Sequence, residues 1–134
     1  MKFFAAAVLI AGLLASFDAA TATEPEAPFG LWRVADGSAV VRIKACGPAL
    51  CGFVAGAPPP GPGEKSVVGQ QILLDMRRDG AVWRGSIYNI DDGKTYDGEI
   101  SIADETRLKI KGCLPGGGLC GGETWKREVE TRSR

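Results

Sequence analysis

The chain has 134 residues, 45% hydrophobic and 24% charged, which suits one ordinary globular domain and leaves no room for a second. Sixteen Lys and Arg balance sixteen Asp and Glu, so there is no general electrostatic pull on nucleic acid or anionic lipid. Histidine is absent, which removes imidazole bases, histidine-assisted nucleophiles and histidine metal sites.

In chain order, Met1-Lys2 supplies one positive charge and Phe3 to Ala15 contains none. That run is too short to span a bilayer, which needs ~20 apolar residues, and has the length of a signal-peptide core. Ala20-Thr21-Ala22 puts small residues where a signal peptidase cuts, so residues 1–22 are expected to be a signal peptide removed after Ala22. A short amphipathic first helix is the alternative, but no polar face interrupts the run. Lys2 and Asp18 cancel, so the remainder is also neutral. The first cysteine, Cys46, lies too far on for lipid attachment at a new N-terminal cysteine, and no later apolar stretch spans a membrane. The expected location is the periplasm or the cell exterior.

Residues 23–28, Thr-Glu-Pro-Glu-Ala-Pro, form a polar leader broken by proline. The domain is expected over residues 29–130, followed by a polar tail at 131–134. Short apolar runs cut by turn signals indicate an all-β domain. Leu31 to Val34 is a first strand, ended by Asp36-Gly37. Val40 to Cys46 places Val41, Ile43 and Ala45 on one face and Arg42 and Lys44 on the other, and Cys51 to Ala55 returns beside it. The Pro/Gly run at 57–63 cannot be a helix or a central strand and is expected to be a stiff connector outside the wall.

Gln71 to Arg77 alternates with Ile72, Leu74 and Met76 together. Asp79-Gly80 turns the chain into Val82 to Ile90, with Trp83, Gly85 and Ile87 on one side. Asp91-Asp92-Gly93-Lys94 is a strong hairpin signal. Tyr96 to Ile102 turns Tyr96, Gly98, Ile100 and Ile102 inward, and Asp97, Glu99 and Ser101 outward. Arg107 to Gly112 sets Leu108 and Ile110 against Lys109 and Lys111, and Gly122 to Val129 carries Trp125. About eight strands with two-sided patterning predict a continuous antiparallel meander, and up-and-down closure into a barrel removes its exposed edges.

Four cysteines in a small exported chain point to disulfides. Of three pairings, Cys46–Cys51 with Cys113–Cys120 is favoured, because each pair brackets a turn-like segment flanked by strand-like sequence. Such small loops contribute roughly 2 kcal/mol apiece on the chain-entropy account. A four-thiolate zinc site is the competing reading; its C-x4-C and C-x6-C spacings are wider than zinc knuckles favour, and no C-x-x-C redox motif is present.

The segments Gly30-Leu31-Trp32, Val41 to Gly52, Gly69 to Leu73, Trp83 to Asn89, Asp92 to Tyr96, Leu108 to Cys113, Leu119-Cys120 and Glu123 to Arg127 run in order over nearly the whole mature chain. In these the sequence resembles domain-of-unknown-function family 2147 of exported bacterial proteins. The resemblance implies a lipocalin-like barrel and no particular activity. It also implies that Gly30-x-Trp32 packs its indole across a closed end, where Lys126 or Arg127 from the last strand covers the ring by a cation–π contact of ~0.5–2 kcal/mol. Gly30, Trp32, Trp125, Lys126 and Arg127 are therefore expected to be structural. Two segments depart from the family pattern: the compact connector at 57–63 replaces a longer polar one, and the Leu114 to Gly118 turn is unusually rich in glycine.

The expected inward set is Val41, Ile43, Ile72, Leu74, Trp83, Ile87, Tyr96, Ile100, Leu108 and Ile110. An eight-stranded barrel either fills such an interior or holds one small ligand in it. Gly85 and Gly98 at inward positions leave space for a ligand or mark bends in curved strands. Tyr88, Asn89, Lys94, Thr95 and Tyr96 gather polar groups around one hairpin, as a sugar-binding edge or as ordinary turn chemistry. Asp91, Asp92, Asp97 and Glu99 offer carboxylates with nothing to fix them as a catalytic pair. The expectation is a protein that is not an enzyme and uses no cofactor or metal. Its interior binds a small apolar or amphipathic ligand. The alternative is an envelope protein-interaction or structural module with a filled core, contacting a protein partner through residues 57–63 and the Asp91–Tyr96 hairpin.

Overall fold

Eight strands form where apolar and polar residues alternate: β1 (Gly30–Arg33), β2 (Val40–Cys46), β3 (Ala49–Gly56), β4 (Gln71–Asp79), β5 (Val82–Asn89), β6 (Lys94–Asp104), β7 (Arg107–Cys113) and β8 (Cys120–Arg127). The computed structural model describes residue 12 and residues 26–129. The expected signal peptide, the start of the leader and the polar tail lie outside the described residues. Each strand pairs antiparallel with the next, and β8 returns to β1, so the sheet is a closed up-and-down barrel. The described residues contain no helix.

Alternating strand direction sorts the connectors to two ends. The β2–β3, β4–β5 and β6–β7 links are two residues each, Gly47-Pro48, Gly80-Ala81 and Glu105-Thr106. The longer links, residues 34–39, 57–70, 90–93 and 114–119, gather at the other end. The first end is closed by packing. Trp32 is buried there and donates its indole N–H to the Pro28 carbonyl at 3.0 Å. Arg127 covers its ring, with the guanidinium carbon 4.3 Å from the centroid, and donates to the carbonyls of Glu105 at 2.8 Å and Phe29 at 3.0 Å. The cover is thus Arg127; Lys126 pairs opposite Arg33 and points away. Gly30 has φ of 117°, and a Cβ there would meet the Arg127 guanidinium at 3.0 Å, so the glycine of Gly30-x-Trp32 makes room for the arginine. A second stack, Arg78 over Trp83 at 5.1 Å, caps the same end.

The interior of the closed half is filled. Trp32, Ile43, Leu73, Met76, Ile100 and Leu108 are buried almost completely, and Leu50 and Trp83 pack with them. Here β4 departs from the simple alternation. Leu74, expected inside, is half-buried and outside the core; Leu73 and Met76 are the fully buried residues. The reason is bulging at two places on β4, at Ile72 against β3 and at residues 74–76 against both Cys51 of β3 and Gly85 of β5. An extra residue in one strand resets which side chains face in. Asp75 takes φ of 47° at the second bulge, a conformation that aspartate tolerates better than most residues. Ala45, expected on the same face as Val41 and Ile43, is exposed at the end of β2.

The two disulfides sit at opposite ends. Cys46 and Cys51 are diagonal neighbours on β2 and β3 beside the Gly47-Pro48 turn, with Cα atoms 5.8 Å apart. Cys113 lies directly opposite Cys120 in the β7–β8 ladder at the other end, with Cα atoms 4.0 Å apart. This is the pairing favoured from the sequence, and no free thiol remains.

Candidate functional site: a half-hollow barrel

Above the packed half the interior is a cavity of about 890 Å³, opening among the long connectors. Its floor is apolar and buried: Val41 and Val54 from the β2–β3 pair, Ile72 from β4, Ile110 from β7 and Trp125 from β8. Ile87 completes it from β5 and Tyr96 rises above it from β6. That volume lies within the ~300–1,000 Å³ usual for small-molecule pockets. The sequence left open whether the barrel was filled or hollow; each describes one half of it.

Of the ten residues expected inside, Val41, Ile72, Ile87, Tyr96 and Ile110 line the cavity. Ile43, Trp83, Ile100 and Leu108 pack the closed half beneath it, and Leu74 does neither. Gly85 and Gly98 do not line the cavity either. The space at Gly85 is taken by the Leu74 and Asp75 carbonyls and Met76 Sδ, and that at Gly98 by the Ile87 side chain. These glycines admit neighbouring protein atoms, and the room they leave is already occupied.

Val54, Leu119 and Glu123 line the cavity but were absent from the expected set, and Trp125 was assigned a structural role. The missed signal is β8 alternation: Glu123 is two residues before the buried Trp125 and directly opposite Ile110. Around the rim, Pro58, Pro59 and Pro60 form one lip, so the stiff connector shapes the opening. Its return at 67–70 is docked by hydrogen bonds from Gly69 N–H to the Val54 carbonyl, 2.8 Å, and from Val54 N–H to the Gln70 carbonyl, 2.9 Å. Leu119, 83% exposed, extends the opposite lip from the disulfide-clipped β7–β8 connector.

The seam that closes the barrel is short. β1 pairs with β8 only at Trp32–Arg127 and Arg33–Lys126. Glu128 reinforces that contact, donating its N–H to the Leu31 carbonyl at 2.9 Å and holding the Arg33 guanidinium through both carboxylate oxygens, at 2.9 and 3.0 Å. Nearer the mouth, residues 120–124 have no ladder pair on β1 among the described residues.

The polar groups singled out at the β5–β6 hairpin serve the turn. Asp92 accepts from the Tyr96 hydroxyl and from Lys94 N–H, and these bonds hold its carboxyl below the usual carboxylate range and push the Tyr96 phenol up. Asn89 accepts from Asp91 N–H at 2.9 Å. Tyr88, Asn89 and Tyr96 face the cavity mouth, whereas Lys94 and Thr95 do not line it. Asp97 is exposed on the outer wall, and Glu99 accepts from Arg84 there at 3.0 Å. The four carboxylates thus do not converge on one cleft. Among the described residues, no group of His, Cys, Asp or Glu is placed to hold a metal.

A family model described as an uncharacterised protein conserved in bacteria, domain-of-unknown-function family 2147, matches residues 30–127. The chain belongs to this family. The match starts at Gly30 and ends at Arg127, the two residues that meet over Trp32, so it spans the whole barrel of this family member. No curated protein matches the chain. Among solved structures, a protein from the human pathogen Helicobacter pylori that belongs to the lipocalin family is similar, with a TM-score of 0.59 and 15% identity over 75% of this chain and 82% of that one. At that identity the likeness is one of fold: the barrel of this family member is lipocalin-like.

Proposed function

We propose that this barrel binds a small apolar or amphipathic molecule in its open half and does so without transforming it. The observation that carries this reading is the cavity of about 890 Å³ floored by buried apolar side chains from β2, β3, β4, β7 and β8. An exported carrier also fits the two disulfides, which persist in oxidising compartments. On this reading residues 1–22 are cleaved, residues 23–28 lead into the barrel at 29–130, and the protein acts in the periplasm or outside the cell. Native mass spectrometry and solvent extraction of protein purified from its own envelope test it. A co-purifying lipid-like or metabolite mass, lost on denaturation, is expected. Protein that is always apo and binds no apolar probe overturns it.

A second reading, an envelope interaction module, is favoured by one observation. Leu114 and Leu119 are exposed on the β7–β8 connector, and Val68 is exposed on the β3–β4 connector at the same end. A stoichiometric protein partner captured by crosslinking and lost on Leu114→Ser/Leu119→Ser substitution supports it. Unchanged capture by that variant excludes these side chains.

A further inference from the structure

The cavity is apolar at its floor, and the charge at its rim is one-sided. Asp36, Glu64, Asp91 and Glu123 line it against a single cation, Lys65. The acids come from the β1–β2 link, the β3–β4 link, the β5–β6 turn and β8. They therefore surround the opening instead of marking one patch, and low-dielectric walls focus such a field into the cleft. The aromatic groups point the same way. Trp125 is buried in the floor, with Tyr96 and Tyr88 toward the mouth, and a cation is attracted to an aromatic face, most strongly that of Trp. The Trp125 indole N–H donates to the Glu123 carboxylate, which fixes that acid beside the ring.

We propose that the ligand is an amphipathic cation: an amine or quaternary ammonium group on an apolar body. The apolar part lies on the floor of Val41, Val54, Ile72 and Ile110, and the positive group lies against Glu123 and Trp125. This rests on the cavity reading above and narrows it by charge. An anionic amphiphile of the fatty-acid kind would bring its carboxylate toward four acids, and Lys65 sits next to Glu64 on the same connector.

The test uses three probes with the same alkyl chain, decyltrimethylammonium, decanoate and decanol, kept below micellar concentrations. Each is titrated into the purified protein near pH 7 and followed by tryptophan fluorescence and calorimetry. The cation is expected to bind about tenfold tighter than decanoate, with decanol between. Glu123→Gln should shrink that preference severalfold, with a thermal melt confirming the fold. Asp36→Asn/Asp91→Asn, which alters only rim charge, and added salt should each shrink it as well. Decanoate binding as tightly as the cation, or a preference indifferent to all of these changes, overturns the inference and leaves the cavity reading standing. Failure of all three probes to bind overturns both.

Discussion

Leu73 fills the space that a side chain on Gly52 would need: a Cβ there would lie 2.6 Å from Leu73 Cδ1. The two residues face each other across the β3–β4 pair, and Leu73 is fully buried. Gly52→Ala is therefore expected to destabilise the barrel by about 1–3 kcal/mol through overpacking. Leu73→Ala alone should cost about 2–4 kcal/mol through the cavity it leaves. The double variant should lose less than the sum, because each change relieves the other. Urea unfolding of the four proteins measures the coupling, and strict additivity would show that the two side chains do not compete for space.

Ile87 and Gly98 set the depth of the cavity. A Cβ on Gly98 would lie 2.5 Å from Ile87 Cγ1, and Ile87 is part of the floor. Gly98→Ala is expected to push Ile87 into the cavity and weaken binding of a decyl probe. Ile87→Ala deepens the cavity and should shift chain-length preference upward, at a stability cost of about 2 kcal/mol. Titration with alkyl probes of increasing length reads both effects. Identical length profiles in all three proteins would place the ligand elsewhere.

Arg127 and Lys126 are adjacent basic residues with different work. Arg127 stacks on Trp32 and donates to two carbonyls. Arg127→Ala should cost about 1–3 kcal/mol from the lost ring contact and hydrogen bonds. Lys126→Ala should stay within about 0.5 kcal/mol, as for exposed sites generally. Denaturant midpoints distinguish them, and equal costs would mean that the stack is not what holds the closed end.

The disulfides should separate stability from binding. Each closes a short loop, so removing either is expected to cost roughly 2 kcal/mol. Cys46→Ser/Cys51→Ser lies at the packed end and should leave probe dissociation unchanged. Cys113→Ser/Cys120→Ser loosens a lip of the cavity and should speed it. Stopped-flow release of a fluorescent alkyl probe gives the comparison.

Acid should be the only ordinary pH direction that weakens the barrel. The Arg107 guanidinium and Thr106 N–H beside Asp104 hold its carboxyl at about 2. Arg33 likewise lowers Glu128, and the Tyr96 hydroxyl lowers Asp92. A carboxyl lowered in the folded state adds stability while ionised, fully so above its unfolded range, and loses it as pH falls through the folded value. With no histidine, the melting temperature is expected to be flat from about pH 5 to 8 and to fall between about pH 4 and 2. These groups are solvent-exposed, so the fall should be gradual. Asp104→Asn should blunt it; a sharp loss near pH 6 would contradict this account.

Strand order was legible in the sequence, and each boundary to within two residues, because most strands bury one side and alternate regularly. The failures share one cause. On β4, Ile72, Leu74 and Met76 look like one face, but bulges at Ile72 and Asp75-Met76 break the period, and Leu73 takes the place of Leu74. Bulges depend on what the facing strand admits, here Gly85, which no local pattern in β4 reveals. The inward glycines misled for a related reason: a missing side chain says that something comes close, not whether it is protein or ligand. The boundary between the filled and hollow halves was also hidden, because it depends on how far Trp32, Met76 and Trp83 reach across the axis.

The two halves share every long strand, so function and fold can be tuned by neighbours two positions apart. Val41 touches the cavity and Ile43, next on the same face, touches only the core; Ile110 and Leu108 stand in the same relation on β7. On the proposed binding reading, a pocket for a different guest could be made by recasting the upper tier of side chains alone, with the lower tier left as a fixed keel.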